Sequence, residues 1–178
     1  MASLVGRMIC AAKLDVGLYE EVEADSGATG QAMLVVVLSS VAAGIGSTGN
    51  AGLTGLLAVA VSALVVWFIW AFITYVIGTK LLPEPQTEAD VGQLLRTIGF
   101  ASSPGLLRIL GIVPGITGIV FFACALWMLV AMVIAVRQAL DYHSTGRAIA
   151  VCLIGWLVYC VIMGLVLWLL GIGVGVQS

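Results

Sequence analysis

The chain has 178 residues, of which 62% are hydrophobic and 9% charged, and its formal net charge is −2. A soluble domain carries about 25% charged residues, so this chain has too little polar surface to face water on all sides. A near-neutral chain of this kind is a poor partner for nucleic acid. We therefore expect an all-α membrane protein, and five spans of about 20 residues would leave no room for a soluble catalytic domain.

Residues 1–25 are predicted to form a segment distinct from a membrane domain at 26–178. Apolar residues recur at three to four positions between Leu4 and Val22, which is the helical period, and charged residues occupy much of the remainder. Two arrangements are open. The segment is either an amphipathic helix on the inner membrane surface or a tail helix packed on the membrane bundle.

The first two spans are predicted at 31–45 and 53–77. Span one is short and rich in Gly, Ala and Ser, which let helix backbones approach closely in lipid, so it should be interior or tightly paired. An uncharged link at 46–52 joins the two spans. The aromatic residues of span two gather at 67–75, and aromatic residues favour the membrane interface.

The third span, at 91–112, is interrupted. Ser102-Ser103-Pro104-Gly105 should kink or split the helix, and the freed backbone groups must be covered by protein or line a wet cavity. Arg96 and Arg108 flank the break, about 18 Å apart along an ideal helix. Either both reach opposite interfaces, or one is an anion site inside the bundle, because charges within a membrane are usually functional. Arg96, Pro104 and Arg108 are thus the candidate binding residues.

The last two spans are predicted at 116–136 and 148–172. Gly155 and Gly164 lie in span five and are the candidate helix-packing residues, because small residues permit close helix contacts in lipid. The tail at 173–178 has no charged side chain.

The positions of the charged residues predict the orientation of the five spans. Short cytoplasmic loops are enriched in Lys and Arg, and six of the seven cations fall on one side: Arg7, Lys13, Lys80, Arg96, Arg137 and Arg147. Only Arg108 lies towards the other side. We expect a cytoplasmic N-terminus, an external C-terminus and a location in the plasma or inner membrane.

The sequence offers little for catalysis. It has one histidine, no paired Cys-x-x-Cys among its four cysteines, and no Gly-rich phosphate loop. No apolar run supplies a base that would activate a nucleophile. We therefore expect no enzymatic activity, no cofactor and no metal.

Several short motifs resemble a known family. They are Gly-Thr-Lys-Leu at 78–81, Leu-Leu-Arg-Thr-Ile-Gly-Phe-Ala-Ser-Ser-Pro-Gly-Leu-Leu at 94–107, Ile112-Val113-Pro114, Trp127 and Val-Arg-Gln-Ala-Leu at 136–140. The sequence resembles the Yip1 domain family in its compact bacterial and archaeal form, over about residues 30–170. The resemblance implies five spans, a cytosolic N-terminus and a non-enzymatic membrane protein. Eukaryotic relatives bind Rab-type GTPases and carry longer N-terminal tails, so that role is not carried over.

Three functions are compatible with the sequence. The first is a scaffold or accessory subunit that contacts membrane lipids and binds other membrane protein subunits, or itself, through the small-residue faces of spans one and five. The second is a small permease or channel with span three lining a cavity. The third is membrane shaping or trafficking through the N-terminal amphipathic helix.

Overall fold

The computed structural model of the protein describes residues 3–48 and 52–169. Part of the link between the first two spans, the end of the predicted fifth span and the tail at 173–178 lie outside the described residues. Within the described residues the chain is helical and contains no strand, which confirms the predicted all-α fold. The α-helices are α1 (Leu4–Ala12), α2 (Val16–Ala24), α3 (Thr29–Thr48), α4 (Gly52–Val76), α5 (Val91–Ala101), α6 (Thr117–Ala139) and α7 (Thr145–Leu169).

Four helical stretches in the described residues are long and apolar enough to cross a membrane. They are Ser26–Ser47, Gly52–Leu81, Thr117–Ala139 and Thr145–Val166. They correspond to the first, second, fourth and fifth predicted spans. The segment at 91–112 is not among them, because it is divided between the 11 residues of α5 and a 10-residue 3₁₀ helix, Ser103–Ile112. We call α5 and this 3₁₀ helix together the interrupted segment.

The serine hydroxyls satisfy backbone groups at the break in the interrupted segment. The Oγ of Ser103 donates to the carbonyl of Phe100 at 2.7 Å, and the Oγ of Ser102 lies 3.4 Å from the carbonyl of Ile98. Pro104 is buried in the first turn of the 3₁₀ helix, where its missing N–H removes no intrahelical bond. The carbonyls of Ile98 and Phe100 at the end of α5 therefore have hydrogen-bond donors even where the α-helical ladder stops.

The interrupted segment packs parallel to α3. Small residues bring the two backbones together, since a Cβ on Gly99 would lie 2.7 Å from the Cβ of Ala32, and one on Gly105 would lie 2.0 Å from the Oγ of Ser39. Further along, a Cβ on Gly46 would lie 1.9 Å from the carbonyl oxygen of Arg108. Residue numbers increase together in these three pairs, so both chains run in the same direction. The small-residue face of α3 is occupied within the chain.

The two N-terminal helices pack on the bundle. Tyr19 and Val22 of α2 are fully buried, and the helix lies against α5 and α6. The end of α1 also contacts α6, because the indole Nε1 of Trp127 donates to the carbonyl of Ala12 at 2.7 Å. A domain boundary between residues 25 and 26 stays a prediction.

Polar contacts join the chain segments at one end of the bundle. The Nη1 of Arg147 donates to the carbonyl of Pro83 at 2.9 Å, and the backbone N–H of His143 donates to Glu84 at 3.0 Å. The hydroxyl of Tyr142 lies 2.9 and 2.7 Å from the carbonyl oxygens of Gly78 and Leu82. The connection after α4, the connection between α6 and α7, and the start of α7 therefore meet here, and we call this the polar end.

Candidate functional site

Arg96 and Arg108, the two candidate arginines, have different environments. Arg96 is buried near the start of the interrupted segment. Its Nε donates to the carbonyl of Val22 at 2.9 Å, and its Nη2 donates to the carbonyl of Glu23. Both carbonyls lie in the last turn of α2, where a cation complements the negative end of the helix dipole. Arg96 therefore joins α2 to α5, and its Nε and Nη2 already have acceptors.

Arg7 is the centre of a second group of hydrogen bonds, which the sequence did not predict. Its guanidinium is buried and donates to Glu21 at 2.7 and 3.1 Å, to Asp25 at 2.7 Å and to Gln31 at 2.9 Å. The hydrogen bond to Glu21 is the main reason why the pKa of Arg7 lies above its ordinary value. The hydrogen bond from Arg7 likewise lowers the pKa of Asp25. Arg7 thus ties α1 to α2 and to the start of α3.

Glu23 is the most perturbed carboxyl group of the polar end. Burial, followed by the negative charge of Asp141, raises its pKa from 4.5 to about 7, although Arg96 opposes the shift. The Nε2 of Gln93 donates to its Oε1 at 3.1 Å. Part of the Glu23 population is therefore protonated near neutral pH.

Arg108 lies near the opposite end of the bundle, and its guanidinium, unlike that of Arg96, makes no hydrogen bond to a backbone carbonyl of the described residues. Its guanidinium carbon lies 5.7 Å from the centre of the Phe121 ring, which is a cation–π contact. Its Nε is buried without a hydrogen-bond acceptor in the described residues. Of the two arginines, Arg108 is the one with an unsatisfied donor.

Trp70 also carries a buried donor, its indole Nε1, that has no acceptor among the described residues. The sequence identified Trp70 only as one of the aromatic residues of span two. A buried tryptophan N–H usually has an acceptor, and this was the one property that pointed to a role for Trp70. Trp70 and Arg108 both line a cavity of about 510 Å³. Other walls of the cavity come from α6 and α7, among them Met128 and Trp156.

Pro104 lies away from this cavity. It lines an apolar groove of about 380 Å³ between α1 and the interrupted segment, together with Leu4, Met8 and Leu38. The predicted binding residues Arg96, Pro104 and Arg108 are therefore at three different places and do not form one site.

Gly155 and Gly164 face different surroundings on α7. A Cβ on Gly155 would be in ordinary contact with Trp70, Ile73 and Ile77 of the helical stretch Gly52–Leu81, at 3.6 to 3.8 Å. A Cβ on Gly164 would have no atom of the described residues within 4 Å. Gly155 thus packs within the chain, whereas the surface at Gly164 is open.

The family model for the Yip1 domain matches residues 19–174. The chain belongs to the Yip1 domain family. The matched range includes α2, the interrupted segment and the four long apolar helices, so the family assignment applies to nearly the whole bundle. Together with those apolar helices, it identifies a multi-pass integral membrane protein. No curated protein and no solved structure matches the chain significantly. In the described part of the Yip1 domain, no three His, Cys, Asp or Glu side chains are grouped as a metal site requires.

Proposed function

We propose that this Yip1 domain protein is a five-pass, non-enzymatic membrane protein that acts as a scaffold or accessory subunit. It would lie in the plasma or inner membrane with its N-terminus in the cytoplasm and its C-terminus outside. The observation that carries the scaffold role is the open surface of α7 at Gly164.

The parallel packing on α3 supports five passes. Contacts of the interrupted segment extend from Ala32 to Gly46 of α3, which is about 21 Å at the rise of an α-helix. A segment that accompanies a membrane helix over this distance crosses most of a hydrocarbon core of about 30 Å. The third pass would then begin near Arg96 and end near Ile112.

The polar end supports a cytoplasmic N-terminus. Arg7, Arg96, Arg137 and Arg147 all make hydrogen bonds to residues of the N-terminal helices or of the connections at this end. Lys and Arg are enriched in cytoplasmic segments close to membrane helices. The polar end is therefore assigned to the cytoplasm.

The second half of α7 exposes much of its surface, although Tyr159 still contacts Trp70. Beyond Gly155, large apolar side chains such as Trp156, Val161 and Leu165 are exposed. Cys160 and Gly164 are both exposed and lie four residues apart, so they share one face of the helix. A small residue at every fourth position allows a second membrane helix to approach closely, and this face would bind another membrane protein subunit or a second copy of the chain.

The native thiol of Cys160 provides the test. Membranes containing the protein would be treated with copper phenanthroline, and the products separated without reducing agent. We expect a discrete cross-linked product that disappears with Cys160→Ser. Gly164→Leu should also prevent it, because the leucine fills the open surface without touching the chain's own bundle. Gly118→Leu is the matched control, since a Cβ there also has no atom within 4 Å. Cross-linking that is absent, or that survives Gly164→Leu, would contradict the scaffold role.

A small permease is the second candidate, and the cavity beside Arg108 is the observation that favours it. Reconstituted protein would then accelerate efflux of chloride or phosphate from liposomes. Arg108→Gln should abolish that efflux, and Arg147→Gln, at the polar end, should not. Efflux equal to that of empty liposomes would reject the permease.

A further inference from the structure

Arg108 and Trp70 line the same cavity, and each carries a buried donor without an acceptor in the described residues. The donors are the Nε of Arg108 and the Nε1 of Trp70. A buried donor without a partner destabilises a protein substantially, and more so when it belongs to a charged group. Two such groups on one cavity indicate that an acceptor from outside the chain binds between them.

Both side chains are held in position by aromatic neighbours. The guanidinium of Arg108 lies over the ring of Phe121. The ring of Trp70 meets that of Tyr159 edge to face, with centroids 6.2 Å apart and planes at 76°. These contacts use the faces and edges of the rings and provide no acceptor for the two N–H groups.

The remaining walls of the cavity are apolar. Ala125, Met128 and Leu129 of α6 and Leu153 of α7 are among them. The volume of about 510 Å³ lies within the range of small-molecule sites. A ligand that fits this cavity needs a polar acceptor at one position and hydrocarbon over most of its surface.

A second apolar cavity extends the first along α6 and α7. It measures about 400 Å³ and shares Leu129, Cys152 and Leu153 with the first cavity. From there it continues past Val133 to Thr145, towards the polar end. The two neighbouring cavities share these three wall residues, and we call them together the groove.

We propose that this groove binds an anionic amphiphile, with its acidic head group at Arg108 and Trp70 and its hydrocarbon chain between α6 and α7. Arginine donates to phosphate and carboxylate oxygens through charge-assisted hydrogen bonds, and the indole N–H supplies a second donor. The head group is a phosphate if the ligand is a phospholipid and a carboxylate if it is a free fatty acid.

Binding would be measured with the full chain, purified in a neutral maltoside detergent, by native mass spectrometry during titration. The probes are palmitoyl-oleoyl-phosphatidylglycerol, oleate and the uncharged oleyl alcohol. We expect phosphatidylglycerol, oleate or both to bind more tightly than oleyl alcohol, and the tighter of the two acids identifies the head group.

Variants connect the binding to the two donors. Arg108→Gln should weaken binding of the preferred acid by at least about tenfold, because a charged hydrogen bond is lost. Trp70→Phe should weaken it by about threefold to tenfold, through loss of a neutral hydrogen bond, while Arg108→Lys should retain part of the affinity. Arg147→Gln is the matched control, since Arg147 is exposed at the polar end, and its affinity should equal that of the wild type.

Three results would overturn the proposal. The first is that oleyl alcohol binds as tightly as both acids, and the second is that neither acid binds. The third is that Arg108→Gln and Arg147→Gln bind the preferred acid with equal affinity. Should Arg108→Gln fail to fold, Trp70→Phe decides, and unchanged affinity in that variant refutes the site. Because Cys160 and Gly164 are not part of this groove, the outcome is independent of the cross-linking test of the scaffold role.

Discussion

Replacing Gly46 with alanine tests the contact that fixes the interrupted segment against α3. The added Cβ would lie 1.9 Å from the carbonyl oxygen of Arg108 and 2.9 Å from its carbonyl carbon. The oxygen would have to retreat by about 1.5 Å to reach the 3.4 Å at which ordinary contact begins. Both partners are backbone, so a change of side-chain rotamer cannot relieve the overlap.

The expected cost follows from this overlap. Overpacking destabilises by about 1–3 kcal/mol, and we take the upper value because the backbone itself must move. Alanine offsets about 1 kcal/mol, since it is a better helix former than glycine. The net loss in the free energy of unfolding is therefore about 2 kcal/mol. For a chain of this size, that lowers Tm by about 4–8 °C.

Buried thiols allow Tm to be measured in detergent. Cys124 and Cys152 are buried, whereas Cys10 and Cys160 are more accessible. In a Cys10→Ser, Cys160→Ser background, the reaction of a thiol-specific fluorophore on heating reports unfolding of the bundle.

The matched control for Gly46→Ala is Gly30→Ala in the same helix, where the new Cβ would have no atom within 4 Å. We expect its Tm to be unchanged or slightly higher. A Gly46→Ala protein as stable as the Gly30→Ala control would refute the close packing of α3 on the interrupted segment.

Variants at three further residues test the polar end in the same thermal assay. Arg96→Gln should destabilise the protein by about 2–3 kcal/mol, because hydrogen bonds from a charged donor to the end of α2 are lost. Arg96→Lys should retain only part of this stability, since lysine lacks the planar guanidinium. An Arg96→Lys protein as stable as the wild type would contradict the paired hydrogen bonds of Arg96. Tyr142→Phe should cost about 1–2 kcal/mol through loss of a buried hydroxyl proton donor, and no change in Tm would contradict that hydrogen bond. Glu23→Gln should alter the pH dependence of stability. In the wild type, the pKa of Glu23 is about 7 in the folded state, above the ordinary 4.5, so stability should increase as pH falls from 7 to 4.5. We expect a gain of about 1 kcal/mol after allowance for solvent exposure. A wild type and Glu23→Gln protein with parallel stability profiles between pH 4.5 and 7 would show that Glu23 does not titrate there.

The lengths of the apolar runs and the residues of the turns between them predicted much of the fold. The four long apolar helices match predicted spans because their signal is local, in uninterrupted runs of apolar residues. The break at Ser102–Gly105 was also visible, since proline and glycine interrupt a helix locally. Whether the divided segment forms a fifth pass depends on its packing against α3, which no local pattern encodes.

The candidate site was harder to predict because its contacts are distant in sequence. Arg96 binds carbonyls 73 and 74 residues away, so the sequence did not distinguish it from Arg108. Likewise, Trp70 and Arg108 share a cavity only after α4, α6 and the interrupted segment have packed. The role of Gly155 within the chain, in contrast to the open surface at Gly164, depends on the position of α4 rather than on any property of the glycines.

The central claim is that the interrupted segment crosses the membrane beside α3. It is tested most directly in a background lacking the four native cysteines, with single cysteines at Glu88, Val113 or Ser144 and an impermeant maleimide added to intact cells. Five passes predict that Val113→Cys is labelled from outside, while Glu88→Cys and Ser144→Cys react only after the membrane is permeabilised. Protection of Val113→Cys together with Glu88→Cys would contradict the third pass.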